Sequence, residues 1–302
     1  MNDQINNNTK PKNIKELFKM MLKIVEKIYD AVVPISVSER KNKNKAKMKD
    51  PEIITIYLLI QCFGKSINKG YNFFKNNFPD LVNYIERSRF NKLVNSLITV
   101  IRAIRRYFMK FHHFVYKIVD SFPLTTSKFG RAFFTKLFKG IATYGYCASK
   151  KEKYFGFKVH VVTDLDGNPY DYVLTTPANV DDREAVFELD DLIEIDILFS
   201  DKGYVGNFIE ELKREKGIKL YALKRNNSKN PLPKEFRNQI SHLRRRIEST
   251  FNQLNEHFDI ERVRSKSLHG LQTSLEIKFL CFNIITYINN GCSHISDILS
   301  FN

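Results

Sequence analysis

The chain has 302 residues, 43% of them hydrophobic, which suffices for one large core or two domains and excludes global disorder. Its formal net charge is +16, and the charge is uneven: residues 1–119 hold 23 Lys/Arg against 9 Asp/Glu, whereas residues 120–302 hold 26 against 24. A basic third joined to a nearly neutral remainder points to a polyanion binder tethered to a second module, and nucleic acid is the usual polyanion. A general lysine bias would raise the count everywhere, not in one third. Cys62, Cys147, Cys281 and Cys292 contain no CxxC pair, and their spacing fits neither a zinc ribbon nor a disulfide framework. They are expected as buried thiols in a reducing compartment. Asn2 to Lys10 is polar, without the apolar core of a signal peptide, and apolar runs such as Ile53 to Ile60 are too short to span a bilayer. The expected location is the cytoplasm, with no membrane partner.

Residues 1–13 read as a polar tail. From Ile14 to Tyr29, apolar residues recur at helical spacing: Leu17, Met21, Ile24, Ile28. A Lys/Asn-rich run over 38–49 reads as a solvated basic linker. A helix then starts with Asp50 as N-cap, Pro51 at its first position and Glu52 beside its positive end. A further helix spans about Phe90 to Phe111, with Leu93, Leu97, Val100, Ile101 and Ile104 inside and Arg102, Arg105, Arg106 and Lys110 outside. Gly64-Lys65-Ser66 mimics the end of a phosphate-binding loop, but Leu59 stands where the motif needs its first Gly. The first 112 residues therefore read as a basic, all-helical module.

The pattern changes at Val115. A short apolar run from Val115 to Val119 ends in Asp120, Ser121, Phe122 and Pro123. Strands are expected at Ile141 to Cys147 and Phe155 to Thr163. The turn Asp164-Leu-Asp-Gly-Asn-Pro169 then leads into Tyr170 to Thr175, a hairpin. Asp181 to Leu192 reads as a helix and Ile195 to Ser200 as a strand ending in Asp201, Lys202 and Gly203. A helix at Asn207 to Lys216, a strand at Lys219 to Leu223, a loop over 225–233 and helices over about 234–257 and 271–289 complete the chain. This order gives an α/β fold whose mixed sheet has an antiparallel hairpin and later parallel crossovers.

Asp120 and Asp201 each close an apolar strand, and neighbouring parallel strands would bring such ends together, where ligands bind in open α/β sheets. In the helix over 234–257, Phe236, Ile240, Leu243, Ile247, Phe251, Leu254 and Phe258 form one apolar stripe. Glu248 lies about 100° from Ile247, at the edge of that stripe, and Arg244 is one turn before it. Two strand-end aspartates and a helix-borne glutamate make a hard oxygen site suited to Mg²⁺ or Mn²⁺, with two ions able to serve phosphodiester chemistry. Each acid alone reads more readily as a turn residue or a surface ion pair than as a ligand; the ordered set fits a site better.

The segments Val115-to-Leu124, Phe199-Ser-Asp-Lys-Gly-Tyr204 and Arg244-Arg-Arg-Ile-Glu-Ser-Thr-Phe251 resemble the D, D and E blocks of bacterial insertion-sequence transposases, most closely the group named after insertion sequence 982. Also similar are Gly156-Phe-Lys-Val-His160, Asp166-Gly-Asn-Pro169, Ala178-Asn-Val-Asp-Asp-Arg183 and Ile260-Glu-Arg-Val-Arg-Ser-Lys266. The likeness covers about residues 20–290. It implies a ribonuclease-H-like mixed sheet flanked by helices, preceded by the basic helical module. It implies Asp120, Asp201 and Glu248 as catalytic metal ligands for two Mg²⁺ ions, recognition of the element's terminal inverted repeats and target DNA, strand cleavage and strand transfer. A homo-oligomer on DNA and a nucleoid-associated place in a bacterial cytoplasm follow from the same likeness. Related groups often carry a Tyr three residues before the Arg and a Lys seven after the Glu; here these are Ser241 and Asn255.

The expected division is 1–112 for DNA binding, 113–292 for catalysis and 293–302 as a tail, with a helix-turn-helix-like unit within 50–112. DNA contacts are expected from Arg244, Arg245, Lys202, Arg102, Arg105 and Arg106. Asp181 and Asp182 read as caps of the following helix or as metal contacts, and His160 as a packed histidine. The Phe and Tyr residues read as core. A ribonuclease-H-like nuclease that does not join strands, or an inactive DNA-binding remnant, are the alternatives.

Overall fold

In the computed structural model, Val119 and Ser200 form the last rung of a parallel ladder between β1 (Tyr116–Lys128) and β5 (Ile197–Ser200). The structure describes residues 10–38, 45–109, 116–147, 150–175, 178, 182–189, 197–201, 204, 206–223 and 233–289. Two compact units divide the chain. One comprises Met1–Phe111, Glu256–Asp259 and His269–Asn302; the other comprises His112–Asn255 and Ile260–Leu268. No helix among the described residues is long and apolar enough to cross a membrane.

The second unit is built on a six-stranded mixed sheet. Besides β1 and β5 it has β2 (Thr143–Cys147), β3 (Glu152–Thr163), β4 (Pro169–Thr175) and β6 (Lys219–Ala222). The order is β2-β3-β1-β5-β6, with β4 also paired to β3. The β1, β3, β2 and β4 pairings are antiparallel, and β5 runs parallel to both β1 and β6. The strands are rich in β-branched and aromatic residues, which suit a pleated, buried surface.

Period-two alternation separates the two faces. On one, Ile118 and Phe199 pack with Ile240 and Ile247 of α9 (Lys234–Phe258). The opposite face sets Val119, Leu198 and Leu220 against Val186 of α7 (Asp182–Phe187) and Leu212 of α8 (Phe208–Lys216). The expected apolar stripe of α9 holds, with Ile240, Ile247, Leu254 and Phe258 buried. A turn fixes this helix from the side. Asp164 accepts from the Asp166 and Asn168 amides at 3.0 and 2.8 Å, Gly167 takes φ 89°, and Thr250 Oγ1 donates to the Gly167 carbonyl at 2.7 Å. An added Cβ on Gly167 would stand 2.5 Å from Thr250 Oγ1, so the turn needs glycine for contact as well as for φ.

β1 does not stop at Asp120. It runs on through Pro123 to Lys128, paired with β3 along that length apart from a register shift between Thr125 and Ser127. Beyond Val119 no β5 residue pairs with it, and a proline is tolerated where a strand has one open side. The turn reading of Asp120 is thereby removed.

Helices make up the first unit: α1 (Ile14–Val32), α2 (Ile35–Ser38), α3 (Asp50–Cys62), α4 (Ile67–Asn77), α5 (Arg87–Ser96), α6 (Ile98–Met109) and α10 (Leu268–Ile288). α10, expected within the catalytic division 113–292, groups with the first unit from His269 on. It is buried along nearly its whole length, and its Glu276 binds Arg102 and Arg105 of α6, each at 2.7 Å. Arg105 is 1% exposed, so the outer face assigned to it is wrong: an anion 171 residues later in the chain compensates its charge. The helix expected over Phe90 to Phe111 breaks at Leu97 into α5 and α6. Asp50 is not the N-cap of α3 but lies inside it, buried, accepting from Tyr29 Oη at 2.9 Å. Cys62, Cys147 and Cys281 are buried free thiols, and Cys62 Sγ lies 3.2 Å from Cys281 Sγ.

Candidate active site

The last parallel rung places Asp120 and Asp201 next to each other in register, just past Val119 and Ser200. Asp120 shares the face of Ile118, the face that α9 covers. Glu248 follows Ile247 on that helix, so both strand ends and the glutamate lie toward one side of the sheet.

Arg244 ties them together. Its Nη2 is 3.1 Å from Glu248 Oε1 and 3.9 Å from Asp120 Oδ2, and its Nη1 is 3.4 Å from Asp201 Oδ1. One guanidinium thus serves three carboxylates, as a cation would. Among the described residues no group of three His, Cys, Asp or Glu side chains stands close enough together to hold a metal ion. The acids share Arg244 rather than one point in space. The donor set still fits a hard divalent cation: carboxylate oxygens only, with a positive charge already at their centre.

The electrostatics are those of crowded acids. Burial pushes the Asp120 carboxyl up to about 6, with Asp201 and Asp182 adding to the rise; the Ser121 amide and Arg244 pull against it. The Ser121 N–H donates to Asp120 Oδ1 at 2.8 Å.

On the other face of the sheet, behind Asp120, lies a polar cluster that the sequence reading largely missed. Lys158 Nζ forms an ion pair with Asp182 Oδ1, and Ser121 Oγ lies 3.5 Å from the same oxygen. His160 Nδ1 is 3.6 Å from Asp182 Oδ1 and 3.4 Å from Tyr204 Oη, and its Nε2 is 3.4 Å from Thr175 Oγ1. Burial lowers the His160 pKa to about 4, Asp182 opposing and Lys158 assisting, so the ring is neutral near pH 7. His160 is packed, as expected. Asp182 opens α7 and pairs with Lys158. The signal available in sequence was Lys158 itself, a cation inside the apolar run Phe157-Lys-Val-His-Val161.

The remaining expectations divide. Arg245 is exposed on α9, Arg106 is half-buried, Arg102 is partly exposed with its Nε on Glu276, and Arg105 is withdrawn from solvent. Lys202, Asp181, His112 and His113 lie outside the described residues.

Residues 116–284, more than half of the chain, match the family described as Transposase DDE domain. A solved structure, the cryo-EM structure of a piggyBac transposase synaptic complex with hairpin DNA, aligns over 95% of this chain and 79% of that one, at 12% identity and a TM-score of 0.46. A likeness at that level adds nothing to the assignment. No curated protein matches the chain. The matched segment begins with the strand that carries Asp120 and includes Asp201, Arg244 and Glu248, and on that match the chain belongs to the transposase DDE domain family.

Proposed function

We propose that the chain is a DNA transposase that cuts and joins strands at Asp120, Asp201 and Glu248. The observation that carries this reading is the meeting of all three carboxylates at Arg244, inside the segment that matches the family. The reading includes a ribonuclease-H-like arrangement of the sheet and kinship with the insertion sequence 982 group.

In this account the three carboxylates hold Mg²⁺ or Mn²⁺, two ions per site. Bound there, the metal would activate the attacking oxygen and stabilise the leaving one. Arg244, which meets all three acids, would be displaced by a bound cation and free to meet a phosphate. Hydrolysis breaks a P–O3′ bond: the water oxygen joins phosphorus and its proton leaves with a base. The freed 3′-hydroxyl then attacks a target phosphorus, whose own 3′-oxygen departs with a proton. No side-chain nucleophile is required.

The DNA partners are the element's terminal inverted repeats and a target. The excess of Lys and Arg in residues 1–119 supplies attraction to phosphate. Arg244, Arg245, Lys202, Arg102 and Arg106 remain the proposed contacts, and Arg105 is dropped because Glu276 occupies it. A homo-oligomer on DNA holds two ends at once.

A strand-transfer assay tests the reading: purified chain, Mg²⁺, a pre-cut end duplex from the flanking element and a target duplex. Joining by wild type and not by Asp201→Asn is expected. Joining by both overturns the site, and cutting without joining replaces the transposase with a nuclease.

A further inference from the structure

Large aromatic side chains on a surface are costly to leave in water and usually mark a contact. Of the exposed large hydrophobics among the described residues, six fall between positions 129 and 146: Phe129, Phe133, Phe134, Ile141, Tyr144 and Tyr146. Phe133, Phe134 and Tyr146 are 86%, 79% and 61% exposed. The sequence reading assigned the aromatics to the core, which here is wrong.

The rings fall into two groups, Phe129–Tyr144–Phe155 and Phe133–Phe134. A 3-10 helix at Phe129–Phe134 follows β1 and carries Phe129, Phe133 and Phe134. Phe129 packs edge-on against Tyr144 at 5.4 Å between centroids, and Tyr144 against Phe155 at 5.1 Å. Phe133 and Phe134 meet at 5.4 Å. Tyr146 stands opposite Lys153 in the ladder, and Lys153 Nζ lies 5.6 Å from the Phe129 ring centre. β2 is an edge strand whose small residues, Gly145 and Cys147, turn inward while its tyrosines face out. The outward tyrosines are therefore not spill-over from a core.

Charge says what would cover them. Residues 128–153 carry seven Lys/Arg and one acid, Glu152; the rest of the second unit carries 19 Lys/Arg and 19 Asp/Glu. The positive charge of the second unit is thus gathered around its exposed aromatics. Interleaved cations and aromatic rings are the surface that single-stranded nucleic acid uses, with phosphates on the cations and bases on the rings. A second copy of the same surface would be repelled by its own charge.

Position agrees with that ligand. Phe155, Tyr144 and Tyr146 share the sheet face of Val161, which pairs with Asp120. Six residues along β3 from Val161 to Phe155 is roughly 20 Å. A strand whose phosphodiester lies at Asp120 reaches Tyr144 and Tyr146 on the same face.

We propose that residues 128–147 and 150–153 form a stacking platform for unpaired bases of a DNA strand whose backbone is held by Lys128, Arg131, Lys136 and Lys153. The platform rests on the reading of the chain as a DNA-cutting protein and adds to it a site for a melted or frayed end beside the cut. It takes bases of any sequence, because every base has a flat face.

The test is binding without catalysis. The full chain, in EDTA, is titrated into a labelled single strand of about 20 nucleotides and into the duplex of the same length; a single strand carrying 2-aminopurine reports stacking through its quenching. Wild type is compared with Phe133→Ser/Phe134→Ser and with Tyr144→Ser/Tyr146→Ser, all at exposed positions. Each double variant should bind single strand about tenfold or more weakly, bind duplex within about twofold of wild type, and lose the quenching. Equal loss on both ligands, no loss on either, or a wild type that does not bind single strand overturns the platform. A variant that changes the elution volume of the free protein but not its single-strand affinity also overturns it and makes the patch an interface between copies. Failure here leaves the strand-transfer assay standing; a chain that stacks bases but does not join ends contradicts only the functional reading.

Discussion

Arg244 Nη1 lies 3.4 Å from Asp201 Oδ1, so a side chain of α9 closes on the end of β5. The same guanidinium holds Glu248 one turn further along the helix and reaches Asp120. A metal entering this site competes with an arginine already there. Arg244→Gln therefore should lower the stability of the metal-free protein by about 1–2 kcal/mol, discounted for the water that reaches Asp201 and Glu248. It should also enlarge the rise in Tm on adding Mg²⁺. Thermal unfolding with and without Mg²⁺ measures both, and an unchanged metal-induced rise contradicts the competition.

Asp120 gives a pH dependence of definite sign. Its carboxyl is raised from 3.8 to about 6, first by burial. Between those values the folded chain holds a proton that the unfolded chain has released. The contribution of Asp120 to stability therefore falls as pH rises through this range and is lowest above about 6. Denaturant titrations in EDTA across that window should show the slope in wild type and lose it in Asp120→Asn. Metal binding should weaken as the pH is lowered below about 6, because a proton and a cation compete for the same oxygens.

Arg105 and Glu276 make a separate, structural prediction. Their 2.7 Å pair is buried on both sides, with Arg102 on the other carboxylate oxygen. Burial alone would raise the Glu276 pKa; Arg105 and Arg102 outweigh it, and the group sits below its ordinary value. Its stabilising contribution is present above the unfolded pKa and is lost as pH falls through the folded one. Glu276→Ala should cost about 3–5 kcal/mol by stranding a buried cation. Equilibrium unfolding of the variant checks this, and a loss under about 1 kcal/mol would contradict it.

Gly156 is fixed by its neighbour strand. A Cβ there would stand 2.1 Å from the Leu124 carbonyl oxygen and 3.0 Å from the Thr126 amide. Gly156→Ala should lower stability by about 1–3 kcal/mol through overpacking between β1 and β3. Gly130→Ala, with nothing within 4 Å of the added atom, is the control and should leave the denaturation midpoint unchanged.

What the sequence disclosed, and what it hid, follows from the range of the interactions. The strands around Asp201, the hairpin of β3 and β4, and the stripe of α9 are local patterns of two or three and a half residues, and they stand where expected. Arg105 was misplaced because helical periodicity sends charges outward, and Glu276 is invisible to it. Pro123 reads as a stop, which hides the length of β1; the fact absent from the sequence is that β5 no longer pairs with β1 beyond Val119. Tyr144 and Tyr146 alternate like core residues, and only the edge position of β2 turns them to solvent. The nearness of Asp120 to Asp201 was inferable from strand ends, but Arg244 as the shared partner of all three acids required the structure.

The central claim is that Asp120, Asp201 and Glu248 act as one site. Its most direct measurement is the single-turnover rate of DNA strand cleavage in Mg²⁺ at saturating end duplex, for wild type, Asp120→Asn, Asp201→Asn and Glu248→Gln. The account predicts that each substitution lowers the rate by about a thousandfold or more while DNA affinity stays within about threefold. Any one of the three cutting within about tenfold of wild type would contradict it.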